Sequence, residues 1–204
     1  MNERAKLYPT LSRTSPVLFF IIILLNCIIY PSYESFYLLI AYNISTGSNF
    51  IIKHYFAEPI YHLLNVKTLP ILGSGERPLK ANSCSFILDN SKSTSYGMPS
   101  GHTQIAWTLC TYFFLKIINN WYKKTHTYKD NKITTIFEYI WFIISCILIL
   151  GTAIYISYSR VYIEGCHTIQ QVTIGGLIGI LSGFIIYYFE NDAINLLSKI
   201  YKFI

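Results

Sequence analysis

Three short patches of the 204-residue chain carry residue types that can hold and transfer a phosphoryl group. The first runs FIIKHYFAEPIY and, further on, GSGERPLKANSC, and contributes Lys53 and Arg77. The second is SYGMPSGHTQ (95–104), built around Pro99, Ser100, Gly101 and His102. The third is YSRVYIEGCHTIQQV (158–172), with Arg160 and His167. Pro-Ser-Gly is a turn that opens a helix and puts His102 in its first turn. Backbone N–H groups and the positive dipole end attract an anion there. Glycine lets the anion approach the backbone, and a histidine can pass it a proton. The same residues also read as a plain helix cap. Arginine grips phosphate with a fork of donors and stays charged, although Arg160 alone equally reads as an interfacial arginine with its stem along apolar surface. Lys53 sits in an apolar run, where a lysine needs a partner, an anion or a helix end close to water.

Taken together, the patches predict a pocket of three cations (Lys53, Arg77, Arg160), one helix N-terminus and two histidines. The cations and amides would hold the oxygens of a phosphoryl group as charge spreads over them. One histidine would attack phosphorus while the other protonates the leaving oxygen. No Asp/Glu cluster suited to Mg²⁺ is visible, and three cations make a metal unnecessary.

These patches need elements to carry them, and composition says which kind. Apolar residues make up 52% of the chain and charged residues 13%, about half the ~25% of a soluble domain. Mean hydropathy is +0.39. A disordered chain, a nucleic-acid-binding tail and an ordinary soluble domain are excluded. The net charge of +6 lies in short polar breaks between apolar runs, the pattern of membrane topology rather than of a nucleic-acid surface. The five cysteines show no CxxC spacing, which argues against a zinc or redox motif.

The apolar runs are 16–30, 34–42, 49–64, 104–121, 136–156 and 169–188. The first reads as a retained signal-anchor ended by Pro31. STGS at 45–48 reads as a break, and the first 64 residues fit either two long helices or three short ones. Residues 65–99 lack helical periodicity, 123–132 form a basic loop, and 157–168 form a second polar break. Gly175, Gly176, Gly179 and Gly183 are spaced for close helix contact. With six spans, the basic N-terminus (Arg4, Lys6, Arg13), the 123–132 loop and the tail (Lys199, Lys202) share the cytoplasmic side. The two polar breaks that hold the chemistry then face each other on the opposite side. Cys84 and Cys166 fall together there, where a disulfide can form. The sequon at Asn43 falls on the cytoplasmic side.

The three patches resemble the signature of the type-2 phosphatidic acid phosphatase superfamily, whose site is shared with vanadium haloperoxidases. That pattern is Lys, six residues, Arg-Pro; then Pro-Ser-Gly-His; then Ser-Arg, five residues, His, three residues, Asp. PSGH at 99–102 matches in full. Ser159-Arg160 through His167 matches with one extra residue, VYIEGC, so that Glu164 or Gly165 would bulge out. The resemblance implies His167 as nucleophile, His102 as general acid, and Arg77 and Arg160 as phosphate-binding arginines, with Ser100 and Gly101 as the oxyanion-binding turn. Lys53 matches the first-motif lysine if an insertion is allowed, with Lys67 as runner-up. Gln171 stands where the family has Asp to orient the nucleophile. It can accept a hydrogen bond from the imidazole N–H but brings no charge. HTIQQV resembles the dolichyl diphosphate phosphatase branch, which implies a long-chain isoprenoid or other lipid diphosphate.

The expectation is therefore one all-α domain over 1–204, a polytopic membrane bundle of about six helices whose site is built from two loops on one face. It would hydrolyse a lipid phosphate or diphosphate through a phosphohistidine, without metal or cofactor. Its partners would be the lipid substrate and the membrane, not nucleic acid. A non-catalytic relative that binds lipid phosphate or scaffolds a partner is the alternative, motivated by Gln171, the split first patch and the extra residue. A small transporter is a third reading, disfavoured because the polar residues gather at one membrane face.

Overall fold

The computed structural model describes residues 4–78, 81, 96–127 and 132–201. Six α-helices carry most of these residues: α1 (Arg4–Ile29), α2 (Tyr33–Ile51), α3 (Glu58–Leu63), α4 (Gly101–Thr127), α5 (Lys132–Tyr158) and α6 (Ile169–Tyr201). A π-helical stretch, Ile52–Ala57, joins α2 to α3 without a break, and a second, Ser159–Ile163, extends α5. The six helices therefore form five rods. A two-residue hairpin, β1 (Thr68–Leu69) with β2 (Gly73–Ser74), pairs antiparallel in the connection after α3.

Local chemistry explains where the rods begin and end. Pro16 lies inside α1 and removes the N–H that Ser12 O would accept. The Ser15 hydroxyl bonds that carbonyl instead, at 2.8 Å, so the helix runs on through residues 4–15, which the sequence showed only as a basic flank. Pro31 ends α1 as expected, and Ser32 and Ser35 form a reciprocal capping box that starts α2. STGS does not break α2. The Ser48 hydroxyl bonds Ser45 O and Thr46 bonds Tyr42 O within the helix, while the Ser45 hydroxyl reaches Thr108 on α4 at 3.1 Å. Polar residues that look like a loop are a helix-to-helix seam. Asn43 lies midway along α2 with its amide on Leu39 O, so the sequon sits inside a helix rather than in a loop.

Three helical segments, Leu11–Ile29, Ile136–Ile163 and Ile169–Ile200, are long and apolar enough to cross a membrane. The chain is an integral membrane helix bundle. α4 is its hub. Ile105, Leu109 and Tyr112 pack on Ile23, Leu38 and Tyr42, while Ala106 and Cys110 pack on Ala153 and Ile156 of α5. α6 runs parallel to α4 along the expected glycine ladder. A Cβ at Gly175 would lie 2.6 Å from Ser100 O, and one at Gly183 2.6 Å from Thr108 O. Only glycine allows backbones this close. At the far end, Glu190 is buried between the Tyr112 hydroxyl and the Lys116 ammonium, each 2.7 Å from its Oε1.

An odd number of rods changes the expected sidedness. α1, α4 and α6 all begin at one end, where α3 and the extended α5 finish. The N-terminal part of α1 therefore shares the end that holds the two histidines, and Arg13 touches that site directly. The end of α4, the start of α5 and the Lys199 tail lie at the other end. Six spans would have put all three basic segments together.

Candidate active site

His167 leads into α6 and is 3% exposed. Its Nδ1 lies 3.0 Å from Gln171 Oε1, and its Nε2 lies 3.4 Å from Arg77 Nη1. The tautomer follows from the neighbours of Gln171. That amide donates from Nε2 to two carbonyls, Ser74 O and Glu76 O, both at 2.8 Å. Its Oε1 is therefore the end facing the ring, where it also accepts from Thr168 N at 3.3 Å. The imidazole must donate from Nδ1, which leaves the Nε2 lone pair on the Arg77 side. Gln171 is fully buried, and Gly97 makes room for it, since a Cβ there would fall 2.5 Å from its Nε2. One side chain thus orients His167 and latches the loop that carries Arg77.

Arg77 also donates to Cys166 O at 3.3 Å. Burial and the neighbouring Arg77 and Arg160 hold the His167 imidazole well below its usual range, so it is neutral. Burial lowers Arg77 as well, but from a starting value high enough that it stays charged.

Arg160 lies on the second π-helical stretch and is fully buried. It pairs with Glu164 four residues on. The Glu164 N–H closes on Ser159 O at 2.8 Å, an i→i−5 bond. The stretch that follows Ser159 thus opens as a widened helical turn. Gly165 follows at φ +61°, and the Cys166 and His167 amides both turn back onto Arg160 O. Glu164 has its side chain fully buried, with Arg13 Nε at 3.4 Å and the Ser159 hydroxyl at 3.2 Å.

Ser100 caps α4, its carbonyl accepting from Gln104 N at 3.0 Å. Its own N–H is held by Gln171 O at 3.1 Å, and its hydroxyl lies 3.1 Å from that of Thr103. The residue that starts α4 is thus also tied to the His167 turn. Gly101 lies against Asn49 of α2, which a Cβ would approach to 2.8 Å. His102 points its Nε2 at Arg13 O, 3.0 Å away. A carbonyl can only accept, so this nitrogen carries a proton.

Lys53 lies on the first π-helical stretch, close enough to Arg77 and Arg160 to feel both charges, and its own charge reaches both imidazoles. Lys67 is exposed and lines a separate small cavity of about 210 Å³ with Tyr61, His62, Glu76 and Tyr96. The structure therefore brings Lys53, Arg77, Ser100, Gly101, His102, Arg160, His167 and Gln171 to one end of the bundle. It adds Arg13 and Glu164, which sequence reasoning missed. The only trace of Glu164 was the extra residue before His167, and Arg13 was visible only as a flanking charge. Cys166 is disulfide-bonded; Cys84, its expected partner, lies outside the described residues.

Similarity to known proteins points the same way as this geometry. The PAP2 superfamily profile matches residues 34–195. Dolichyldiphosphatase 1 of Homo sapiens is 32% identical over 101 residues, which span 50% of this chain and 39% of that protein. Dolichyldiphosphatase 1 of Mus musculus is 35% identical over 88 residues, 43% of this chain and 34% of that protein. The matches thus span less than two fifths of the curated relatives' length. No solved structure matches.

Proposed function

The chain belongs to the PAP2 superfamily, and from that premise we propose that it is a membrane phosphatase acting on a lipid phosphate or isoprenoid diphosphate through phospho-His167. The observation that carries this reading is the Gln171–His167–Arg77 arrangement, a neutral, oriented imidazole with its lone pair beside a half-buried guanidinium. The names of the dolichyldiphosphatase relatives favour a polyisoprenyl diphosphate.

In the proposed reaction, phosphoryl oxygens lie against Lys53, Arg77, Arg160 and the first amides of α4. His167 Nε2 attacks phosphorus, and the bond to the leaving oxygen breaks with its electron pair going to that oxygen. Burial and the Arg160 charge hold His102 below its usual range, so it takes up a second proton only with the substrate's negative charge bound, and it supplies that proton. With Nε2–H committed to Arg13 O, the proton it gives up is the one on Nδ1. Water then attacks phospho-His167, its proton returns to His102, and the N–P electron pair goes back to Nε2 as phosphate forms. The cations neutralise charge in the role a divalent ion would otherwise take, so the reaction proceeds with chelator present.

The site lies on the non-cytoplasmic face in this reading, with the 123–132 segment and the Lys199 tail cytoplasmic. The test is phosphate release in detergent from a panel of phosphatidate, isoprenyl diphosphate and sphingoid phosphate. His167→Ala and His102→Ala should abolish release while the protein still inserts and keeps its melting profile. Full activity in His167→Ala refutes the assignment. An inactive wild type that still binds phosphate is the outcome expected of a non-catalytic relative.

A further inference from the structure

We propose that α1 is part of the catalytic unit, with Arg13 as a positioning residue that acts through Glu164 on Arg160 and through its own carbonyl on His102. The proposal rests on the phosphatase reading above. α1 lies outside the segment matched by the family profile, which begins at residue 34, yet its Arg13 makes two contacts with the site. The carbonyl takes the His102 Nε2–H at 3.0 Å, and the guanidinium lies 3.4 Å from Glu164 Oε2. The Pro16 carbonyl accepts the Tyr42 hydroxyl of α2 at 2.5 Å, which pins this part of α1 against the bundle.

Charge balance gives the second contact its meaning. Glu164 and Arg160 are both buried, with side-chain exposures of 0% and 1%. A buried carboxylate paired with a single arginine would cancel much of that arginine's pull on a phosphate. Glu164 is shared instead. Its Oε2 faces both Arg160 and Arg13, and its Oε1 takes the Ser159 hydroxyl. Arg13 draws off part of the carboxylate's charge and leaves Arg160 more electropositive toward substrate, while Glu164 fixes the direction of the Arg160 fork. Glu164 is one of the six residues between Arg160 and His167, and the widened helical turn places it.

The experiment measures the inhibition constant for inorganic phosphate and kcat/KM for the best lipid substrate, on the full chain in detergent. Arg13→Met should weaken phosphate inhibition and lower kcat/KM by about tenfold, an effect in keeping with unit charges a few ångströms apart at an intermediate dielectric. Arg13→Lys should recover most of the loss. Glu164→Gln should tighten phosphate binding by a similar factor, because it removes the competing charge. In the Glu164→Gln background, Arg13→Met should change phosphate binding less than twofold. A purely structural ion pair predicts no tightening in Glu164→Gln. That result overturns the proposal, as does an Arg13→Met protein with wild-type constants or a full Arg13→Met effect in the double variant. If Arg13→Met fails to fold, Glu164→Gln and Arg13→Lys decide alone. A wild type that binds phosphate without hydrolysing lipid ends the catalytic reading but leaves the charge-sharing test intact through binding measurements. A wild type that does neither ends both.

Discussion

Replacing Gln171 with glutamate separates two accounts of this residue. In one, Gln171 is a weakened form of the family Asp, and a carboxylate should improve the nucleophile. In the other, its amide N–H₂ is the reason it is there. The Gln171→Glu side chain would keep an acceptor for His167 Nδ1–H and Thr168 N, now 3.0 and 3.3 Å from Oε1. It would lose both donors and set a carboxylate oxygen against Ser74 O and Glu76 O, now bonded at 2.8 Å. Leaving a buried carbonyl unpaired costs about 1–3 kcal/mol. Glu76 is exposed, so the loop can turn one carbonyl to water, and the net cost falls near ~2 kcal/mol. At about 1.36 kcal/mol per tenfold, that unlatches the Arg77 loop by a factor of ~30. Gln171→Glu should therefore lower kcat/KM by about that factor. Gln171→Leu, which also deprives His167 of its acceptor, should lower it further. Phosphate release in detergent gives the rates, and a melting curve shows that the bundle persists. Activity in Gln171→Glu at or above wild type would refute the clamp and restore the weakened-Asp account.

Two further outcomes follow from the same geometry. A Cβ at Gly179 would run into Gln104 O and lie 2.8 Å from Trp107 Cβ, whereas one at Gly151 meets nothing within 4 Å. Gly179→Ala should cost about 1–3 kcal/mol and lower the melting midpoint in detergent, while Gly151→Ala stays within about 0.5 kcal/mol of wild type. His167 has a pKa depressed below its unfolded value by burial and then by Arg77 and Arg160. Below about pH 6.5 the unfolded chain takes a proton that the folded site refuses, so this group's contribution is complete above that pH and is lost as pH falls toward the folded value. His167→Gln should flatten the acid side of the stability profile, and an acid limb unchanged in that variant would show that the imidazole is not held neutral.

What the sequence made legible was contact that repeats at a fixed interval or chemistry that sits in contiguous residues. The glycines of α6 recur at helical spacing, and each meets α4 as expected. PSGH places a cap and a histidine together because they are neighbours in the chain. The α2 seam was not legible, because Ser45, Thr46 and Ser48 look like a break until Gln104 and Thr108 of α4 are set beside them. The end at which the basic N-terminus lies was missed for a related reason. Whether 34–42 and 49–64 are one rod or two changes the parity of the bundle, and hydropathy alone does not count the polar residues between them as helix.

The least legible feature is also the one that aims the cations. Lys53 and Arg160 both lie on π-helical stretches, each closed by an i→i−5 bond, Glu58 N to Lys53 O and Glu164 N to Ser159 O. A π turn holds one residue more than an α turn, and it redirects every side chain that follows it. In a sequence the same event shows only as a motif one residue too long, with no change in composition to mark it. The irregular spacing before His167 falls where the helix widens. The widened turn leaves Arg160 buried and His167 on Gln171, and it is followed by a carboxylate that reaches both Arg160 and α1.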